Sequence, residues 1–335
     1  MKKKLVWLLM GAIMIGALAG CSGKTEKAEK PAAKEEAGGT SEDAKGGEKK
    51  AAGEISIGFS GDYLSDFMAN VVKGVEKAAS DNGVKVTVQD AEFDTAKQLQ
   101  QVENFINAGA SAVVIKPVDS DACEPMKKAC EEAGIPFIVV NSQSNAGCDV
   151  YVGSDHKYSG ELQGKFVAEN LPEGGKVGIL MGEMTVQAST ERTEGAKEAL
   201  AANDKIEVVS EQEAGWMRDE AMQKMENWLN SGLDLAAVIA NNDEMAIGAA
   251  KVLKENGVKG VLVCGIDATE DALNMLKSGD MAMTVFQNGY EQGYQGVVSA
   301  IKLVNGEKVE EYVDVPYELV TPDDADKYLE IVTGQ

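Results

Sequence analysis

Short apolar runs alternate with helical patterns along most of this chain, and this alternation restricts the possible folds more than any other feature. Apolar runs such as residues 112–115 and 236–240 are short enough for strands, and each is followed by apolar side chains at helical spacing. Repeated strand–helix units predict a parallel sheet with right-handed crossovers. One series of such units ends near Asn141, and a second begins after Asp155. We therefore predict an α/β protein with two doubly wound parallel-sheet lobes joined by a three-strand hinge.

The two predicted lobes are each discontinuous in the sequence. The chain has 335 residues, which is enough for two domains of ordinary size. Residues 54–155 with 288–313 are expected to form the N-terminal lobe, and residues 156–287 with 314–335 the C-terminal lobe. The three expected crossings between the lobes lie near residues 153–155, 287–289 and 312–316.

The N-terminus has the three parts of a bacterial signal peptide. Lys2, Lys3 and Lys4 precede an apolar stretch over residues 5–18, and Leu18-Ala19-Gly20-Cys21 follows. The sequence Leu-Ala-Gly-Cys resembles a lipobox, which implies a lipoprotein signal peptide over residues 1–20 and a lipid on Cys21. The alternative is an ordinary signal peptide with an incidental cysteine.

The segment after Cys21 lacks the side chains that build a core. Residues 22–53 contain no Val, Ile, Leu or aromatic residue and consist mainly of Lys, Glu, Ala and Gly. Such a composition cannot bury enough apolar surface to fold. We predict a disordered tether over residues 21–53 that holds the folded body beside a membrane, with the lipid anchor as its only membrane contact.

The composition argues against several classes of protein. There are 55 acidic and 32 basic residues, and the formal net charge of −23 at pH 7 makes nucleic acid an unsuitable partner. The single histidine, His156, argues against histidine-based metal centres and Ser–His–Asp triads, and we interpret it as a loop or hinge residue without a role. No phosphate loop or GxGxxG motif occurs. We therefore expect a protein that is not an enzyme and needs no metal or cofactor.

Polar and aromatic side chains collect directly after the predicted strands. In an open parallel sheet, ligands bind beyond the carboxyl ends of the strands. Amide, carboxylate and guanidinium groups can bridge neighbouring hydroxyls, while aromatic rings cover the C–H faces of a polyol. The alternative for Asn242 and Asp267 is that they only cap the following helices, and the alternative for Phe67 is a core position. The candidate binding residues are Ser65, Asp66, Phe67, Asn141, Ser142, Thr190, Arg192, Trp216, Asn242, Asp267 and Gln287.

Several short motifs carry a family resemblance. They are residues 94–109, Lys116-Pro117-Val118-Asp119-Ser120-Asp121, Ile135-Pro136-Phe137-Ile138, residues 240–246 and residues 265–269. Together they resemble the type I periplasmic sugar-binding proteins, which are the ribose and galactose binders of ABC importers. The similarity spans residues 55–321. Within that family, residues 181–183, 215–218 and 284–287 look most like the inositol and rhizopine binders.

The resemblance implies roles for individual residues. It implies that Phe67 and Trp216 form an aromatic clamp. A ribose-type alignment places the ligand arginine of the family at Thr190, and a galactose-type alignment places it at Arg192, so both remain candidates, with Arg192 preferred. Ser142 stands where ribose binders often have arginine, which argues against ribose itself. The implied hydroxyl partners are Asn141, Asn242, Asp267 and Gln287.

Charge narrows the expected ligand. Asp66 and Asp267 face at most one arginine, so a phosphate or carboxylate ligand would meet a negative potential. We expect a neutral sugar or cyclitol, with an inositol-like ligand favoured, captured between the lobes of a monomeric extracytoplasmic solute-binding lipoprotein. This lipoprotein would deliver its ligand to an ABC transporter permease. The alternative is a ligand-presenting sensor for a chemoreceptor or signalling kinase, because its binding half would look the same.

Overall fold

The structure is a computed structural model that describes residues 55–334. The predicted signal peptide, the predicted tether and Cys21 lie outside the described residues. The described part is built on two main sheets, each covered by helices. Within residues 55–334, no helix combines the length and the apolar character needed to cross a membrane.

The first sheet takes five strands from the first half of the chain and one from near its end. These strands are β1 (Ser56–Gly61), β2 (Lys85–Asp90), β3 (Ala112–Ile115), β4 (Phe137–Asn141), β5 (Val150–Gly153) and β11 (Tyr312–Asp314). Their order is β11-β5-β4-β3-β1-β2, and every neighbouring pair is parallel. The helices of this N-terminal lobe are α1 (Asp66–Asn82), α2 (Thr95–Asn107), α3 (Glu124–Ala133) and α9 (Gly289–Val304). Helices cover both faces, and β3, β4 and β5 are therefore buried along their whole length.

The second sheet follows the same plan with a different edge. Its parallel strands are β6 (Gly175–Met181), β7 (Ile206–Glu213), β8 (Ala237–Ala240) and β9 (Leu262–Cys264), in the order β7-β6-β8-β9. One single bridge joins Cys264 of β9 to Met283, directly before β10 (Thr284–Phe286), and a second joins Asp267 to Phe286 of β10. Strand β12 (Glu318–Val320) pairs with β10 in the antiparallel direction. The helices of this C-terminal lobe are α4 (His156–Asn170), α5 (Gln187–Leu200), α6 (Arg218–Asn230), α7 (Asp243–Glu255), α8 (Glu270–Ser278) and α10 (Ala325–Gly334).

The chain crosses between the lobes three times. It leaves the first sheet after β5 and enters α4, returns after β10 into α9, and leaves again between β11 and β12. The predicted α/β fold with two parallel-sheet lobes and a three-strand hinge is confirmed. The three crossings follow β5, β10 and β11, so the carboxyl ends of strands from both sheets lie at the hinge.

Residues 312–320 form two short strands in two different sheets, joined by the third predicted crossing. Asp314 ends β11, and Glu318 begins β12. Between them, the Val315 N–H donates to the Gly153 carbonyl oxygen at 2.7 Å, and Pro316 has no N–H to continue a ladder. The segment therefore passes from one lobe to the other, and its end adds an antiparallel strand to a sheet that the sequence pattern predicts to be parallel.

The packing of α4 on α5 sets the position of one predicted site residue. Gly160 of α4 lies against the backbone of α5, and a Cβ atom at Gly160 would overlap the backbone carbonyl oxygen of Arg192. The two helices can approach this closely because one of them has no side chain at the contact. The backbone of Arg192 is thereby fixed, and its side chain extends toward the space between the sheets.

Candidate functional site

A cavity of about 460 Å³ lies between the carboxyl ends of the two sheets. Its walls come from both lobes, so a molecule inside it would contact both. Ten of the eleven residues that the sequence predicts for binding line this cavity; their contact with a ligand stays a prediction. These ten are Ser65, Asp66, Phe67, Asn141, Ser142, Arg192, Trp216, Asn242, Asp267 and Gln287.

Thr190 is the predicted residue that does not line the cavity. Its side chain is exposed, and its hydroxyl donates to the Gln187 carbonyl oxygen at 2.9 Å within α5. Two positions along an α-helix correspond to a rotation of about 200°, so Thr190 and Arg192 point in nearly opposite directions. The prediction of Thr190 as a binding residue is therefore corrected in favour of Arg192.

This correction can be checked by substitution. Thr190→Val keeps the shape of the side chain and removes its hydroxyl. Because the hydroxyl contacts only its own helix, we expect the Kd for the ligand to change by less than about twofold. Isothermal titration of the variant measures the Kd directly, and a tenfold loss of affinity would contradict the placement of Thr190 outside the site.

Arg192 is the central cation of the cavity and is almost completely buried. Its guanidinium donates to the Asn241 carbonyl oxygen at 2.6 Å, to Gln287 Oε1 at 2.9 Å and to the Tyr317 hydroxyl at 2.8 Å. All three acceptors are neutral, so the charge of Arg192 is not cancelled by a bonded carboxylate. The guanidinium carbon also lies 5.8 Å from the ring centre of Trp216.

Three residues that line the cavity each have a buried donor atom without a hydrogen-bond partner in the protein. These atoms are Arg192 Nε, Gln287 Nε2 and Trp216 Nε1. Buried polar atoms without a partner are rare in folded proteins, because each costs free energy until something accepts its hydrogen bond. Their shared location indicates that a ligand with several oxygen acceptors completes the site.

Asp267 brings a carboxylate to the same cavity from the loop after β9. Burial raises its pKa well above the ordinary value, while the Arg192 charge opposes that shift. The loop is held from behind by Asp243, whose carboxylate accepts from the Thr269 N–H at 2.8 Å and from the Thr284 hydroxyl at 2.7 Å. Asp267 itself has a φ of 132°, a backbone conformation that a non-glycine residue holds only when its surroundings enforce it.

Trp216 lies flat against the backbone at the end of β6. A Cβ atom at Gly182 would overlap the indole ring, so glycine is needed there for the ring to lie in place. Asn242 supports the same loop, since its Nδ2 donates to the Trp216 carbonyl oxygen at 3.1 Å and its Oδ1 accepts from the Met245 N–H at 3.0 Å. Asn242 therefore caps α7 and lines the cavity at once, so the two interpretations of this residue are compatible.

On the N-terminal lobe, the start of α1 presents Phe67 to the cavity. Ser65 caps this helix by accepting from the Met68 N–H at 3.3 Å. The Phe67 ring packs against the start of α9, where a Cβ atom at Gly289 would lie 2.9 Å from the ring. Phe67 and Trp216 thus stand on opposite lobes and enclose the cavity from two sides.

Four further residues that line the cavity come from strand ends that the sequence analysis did not include. Asp62 and Lys116 follow β1 and β3 and form an ion pair, and Asp62 Oδ1 is buried without a partner. Tyr63 and Phe93 stack with ring centres 4.7 Å apart. Both pairs line the cavity on the N-terminal lobe. Only their position could have marked Asp62 and Lys116 as candidate site residues in the sequence, because both come directly after apolar runs.

His156 has a structural role at the hinge, which corrects its interpretation as a residue without one. It is buried, with Nε2 lying 2.7 Å from the Asn141 carbonyl oxygen and Nδ1 lying 2.8 Å from the Tyr317 hydroxyl. Burial lowers its pKa to about 3, so the ring is neutral at physiological pH. Through Tyr317, which also accepts from Arg192, this histidine helps to fix the guanidinium.

The donor set of the cavity does not suit a metal ion. Within residues 55–334, no group of three or more His, Cys, Asp or Glu side chains is arranged to hold one. The carboxylates around the cavity are instead paired with cations or spread apart, as with Arg218, which donates to Glu244 at 2.8 Å and to Asp271 at 3.0 Å. Hydrogen bonding to an uncharged ligand is the chemistry that this arrangement supports.

Comparison with known proteins agrees with this geometry. A family model described as a periplasmic binding protein domain matches residues 57–308. A Rhizobium meliloti protein with the provisional name rhizopine-binding protein is 39% identical over 277 residues, which are 79% of this chain and 90% of that protein. The ribose import binding protein of Bacillus subtilis is 34% identical over 270 residues, which are 80% of this chain and 88% of that protein.

A solved structure extends the comparison to three dimensions. An ABC transporter solute-binding protein from Bacillus halodurans, with bound myo-inositol, is 38% identical to this chain and superposes with a TM-score of 0.80. The superposition covers 83% of this chain and 98% of that one. The chain therefore belongs to the periplasmic binding protein family, in its type I sugar-binding group. Within that family it is a sugar- or polyol-binding component of an ABC importer, which works with a permease on the extracytoplasmic side and is not an enzyme.

Proposed function

We propose that this protein captures a cyclitol without negative charge, either neutral myo-inositol or a cationic amino derivative of it, and delivers it to its permease. The observation that carries this proposal is that three residues lining one cavity each keep a buried donor without a partner in the protein, namely Arg192 Nε, Gln287 Nε2 and Trp216 Nε1. myo-Inositol offers a hydroxyl on every ring carbon, so it can satisfy donors and acceptors around its whole edge. Its two C–H faces would lie between Phe67 and Trp216.

The charges around the cavity support an uncharged or weakly cationic ligand. Lys116 is paired with Asp62, and Arg218 is paired with Glu244 and Asp271. Arg192, Asp66, Asp219 and Asp267 then remain at the cavity without a bonded ion partner, so the carboxylates outnumber the one cation. A phosphate group would add negative charge that no remaining cation offsets, whereas an ammonium group could approach the carboxylates.

The relatives support the same ligand class. The Bacillus halodurans structure contains myo-inositol, and the Rhizobium meliloti relative is named for rhizopine binding. Both are more similar to this chain than the Bacillus subtilis ribose binder, which is 34% identical. Ser142 also takes the place of the arginine that ribose binders often carry beside this site.

The proposal is tested by thermal unfolding of the purified protein with a panel of ligands. The panel contains myo-inositol, other inositol stereoisomers, an amino-inositol, ribose, galactose and an inositol monophosphate. A ligand present at 100 times its Kd stabilises the folded state by about 2.7 kcal/mol, and we expect the largest rise in Tm with an unphosphorylated cyclitol. Ribose or galactose acting more strongly than every cyclitol would contradict the cyclitol assignment, and the phosphate acting most strongly would contradict the charge argument.

The lipid anchor is part of the same proposal and needs a separate test. Cys21 lies outside the described residues, and the support for its lipidation is the Leu18-Ala19-Gly20-Cys21 sequence. We expect the full chain to partition with membranes in bacterial cells, and Cys21→Ala to abolish that partitioning because no lipid can be attached. Fractionation followed by immunoblotting measures both, and a Cys21→Ala variant that stays with the membrane would contradict the anchor.

A further inference from the structure

Helix α5 carries Arg192 into the cavity but does not cap its own N-terminus. The residue at its cap position is Val186, whose side chain makes no capping hydrogen bond. Valine cannot cap, since a cap needs a side-chain oxygen that accepts from one of the first N–H groups of the helix. The first N–H groups of α5 must therefore find their acceptors elsewhere.

The acceptor for the first of these groups comes from the opposite lobe. Ser120 lies in the loop after β3 of the N-terminal lobe and is 2% exposed. Its Oγ accepts from the Gln187 N–H at 3.3 Å, and its own N–H donates to the Thr185 carbonyl oxygen at 3.2 Å. Both bonds join the lobes at a distance from the three hinge crossings.

The loop that carries Ser120 is itself held in place within the N-terminal lobe. The Ser120 carbonyl oxygen accepts from the Asn145 N–H at 2.9 Å, and the Asn145 side chain donates to Asp121 at 2.6 Å. The serine hydroxyl is thus presented by a fixed loop, and it reaches α5 only when the two lobes are close together.

We propose that Ser120 is a positioning residue that caps helix α5 from the opposite lobe and thereby stabilises the closed arrangement of the protein. This inference rests on the proposed function, because closure matters here through ligand capture. Opening the lobes breaks both hydrogen bonds and exposes the uncapped start of the helix that carries Arg192. A ligand that binds the closed arrangement is held more tightly when that arrangement is more stable.

The position of Ser120 gives the proposal a specific signature. Ser120 does not line the cavity, so its substitution removes no direct ligand contact. It can change only the equilibrium between open and closed forms, and this equilibrium multiplies every Kd by the same factor. Substitutions inside the cavity change the Kd values of different ligands by different factors.

The test is the Ser120→Ala variant with myo-inositol and scyllo-inositol as probes. Loss of a helix cap corresponds to a change of about 3- to 10-fold in an equilibrium constant, and we expect the Kd of both probes to rise by one common factor in that range. We also expect faster hydrogen exchange at the Gln187 amide in the ligand-free variant. If the wild-type protein binds neither probe, the proposed function fails, whereas the exchange rate still decides whether Ser120 caps α5.

Two further variants complete the experiment. Gln187→Pro removes the same hydrogen bond by removing its donor, at the first helical position, where proline is well accommodated. It should raise the Kd as Ser120→Ala does. It also replaces Ser120→Ala in the test if that variant does not fold. Thr321→Ala is the matched control, because Thr321 makes capping hydrogen bonds with Asp324 inside the C-terminal lobe. It should lower Tm and leave the Kd unchanged.

Three results would overturn the proposal. The first is an unchanged Kd in folded Ser120→Ala or Gln187→Pro. The second is a Kd that rises by clearly different factors for the two probes, which would place the effect inside the cavity. The third is equal exchange of the Gln187 amide in wild type and Ser120→Ala.

Discussion

Replacing Asp267 by asparagine should stabilise the ligand-free protein and weaken myo-inositol binding by about 100-fold. The two effects have opposite signs, because burying the carboxylate costs stability whereas its hydrogen bonds to the ligand strengthen binding. Asp267 is 7% exposed, and burial raises its pKa well above the ordinary value of 3.8. A raised pKa of a carboxyl group means that the folded state disfavours its ionised form.

Asparagine removes the buried charge and keeps the size of the side chain. It also tolerates unusual backbone angles better than most residues, which suits the φ of 132° at this position. The cost falls on ligand binding, since a carboxylate accepts hydrogen bonds from two neighbouring hydroxyls, whereas an amide offers one acceptor and one donor. Charge-assisted hydrogen bonds are also about twice as strong as neutral ones.

The stability gain should depend on pH in a defined direction. Because the folded-state pKa of Asp267 lies above the unfolded-state value, the folded wild type binds the extra proton. Its free energy of unfolding therefore falls as pH rises from about 4 toward the folded-state pKa. Asp267→Asn lacks this term, so the difference between variant and wild type should be small near pH 4 and grow toward pH 8.

Chemical denaturation across this pH range measures the first effect, and isothermal titration with myo-inositol measures the second. Asp280→Asn is a useful control, because hydrogen bonds from Lys254 and Ser278 lower the pKa of Asp280. Its substitution should lower stability and leave binding unchanged. A destabilised Asp267→Asn, or one that binds like wild type, would contradict the place given to Asp267 in the site.

The sequence predicts the fold well because periodicity is a local property. Each buried strand of a parallel sheet is a continuous apolar run, and each helix has an apolar face, so elements such as β8 and α7 can be recognised without their neighbours. The end of the chain is predicted only in part. The sequence places a crossing near residues 312–316, but it does not show that residues 318–320 then pair with β10 in the antiparallel direction.

The candidate site could be predicted only where a residue type signals its role. Asn141, Asn242 and Asp267 are polar residues at the ends of apolar runs. This position predicts that they share one site, and all three line the cavity. Phe93 gave no such signal, since it lies in a turn after β2. There Glu92 and Phe93 have φ values of 54° and 58°, which direct the ring onto Tyr63. The direction of a side chain in such a turn depends on the backbone angles, and these angles cannot be predicted from the sequence pattern.

The choice between Thr190 and Arg192 shows the same limit on a helix. Alignment to related proteins left both open, because a shift of two residues is small in a sequence. On the helix it is a rotation of about 200°, so one side chain faces the cavity and the other faces water. The packing of α4 on α5 through Gly160 decides which one, and that contact joins residues more than 30 positions apart in the chain.

Trp216→Ala should weaken myo-inositol binding by about 100-fold while changing the free energy of unfolding by less than about 1 kcal/mol. The indole supplies one apolar wall of the cavity, and its unpartnered Nε1 offers a donor to the ligand. Its removal takes away both, whereas the fold loses less, because the ring is only half-buried at the edge of the core of the C-terminal lobe and covers Gly182. Trp216→Phe keeps an aromatic wall without the donor and should fall between the two.

Trp228, in the same lobe, is expected to contribute to stability and not to ligand binding. It is 5% exposed in the core beneath α6, and its Nε1 donates to the Ser210 hydroxyl at 3.0 Å. Trp228→Ala should lower the free energy of unfolding by about 3–5 kcal/mol and leave the Kd of the folded fraction unchanged. Fluorescence separates the two further: a ligand-induced change in emission should persist in Trp228→Phe and disappear in Trp216→Phe. If the signal instead follows Trp228, the ligand does not contact the wall that Trp216 forms, and the cavity between the lobes is not where the cyclitol binds.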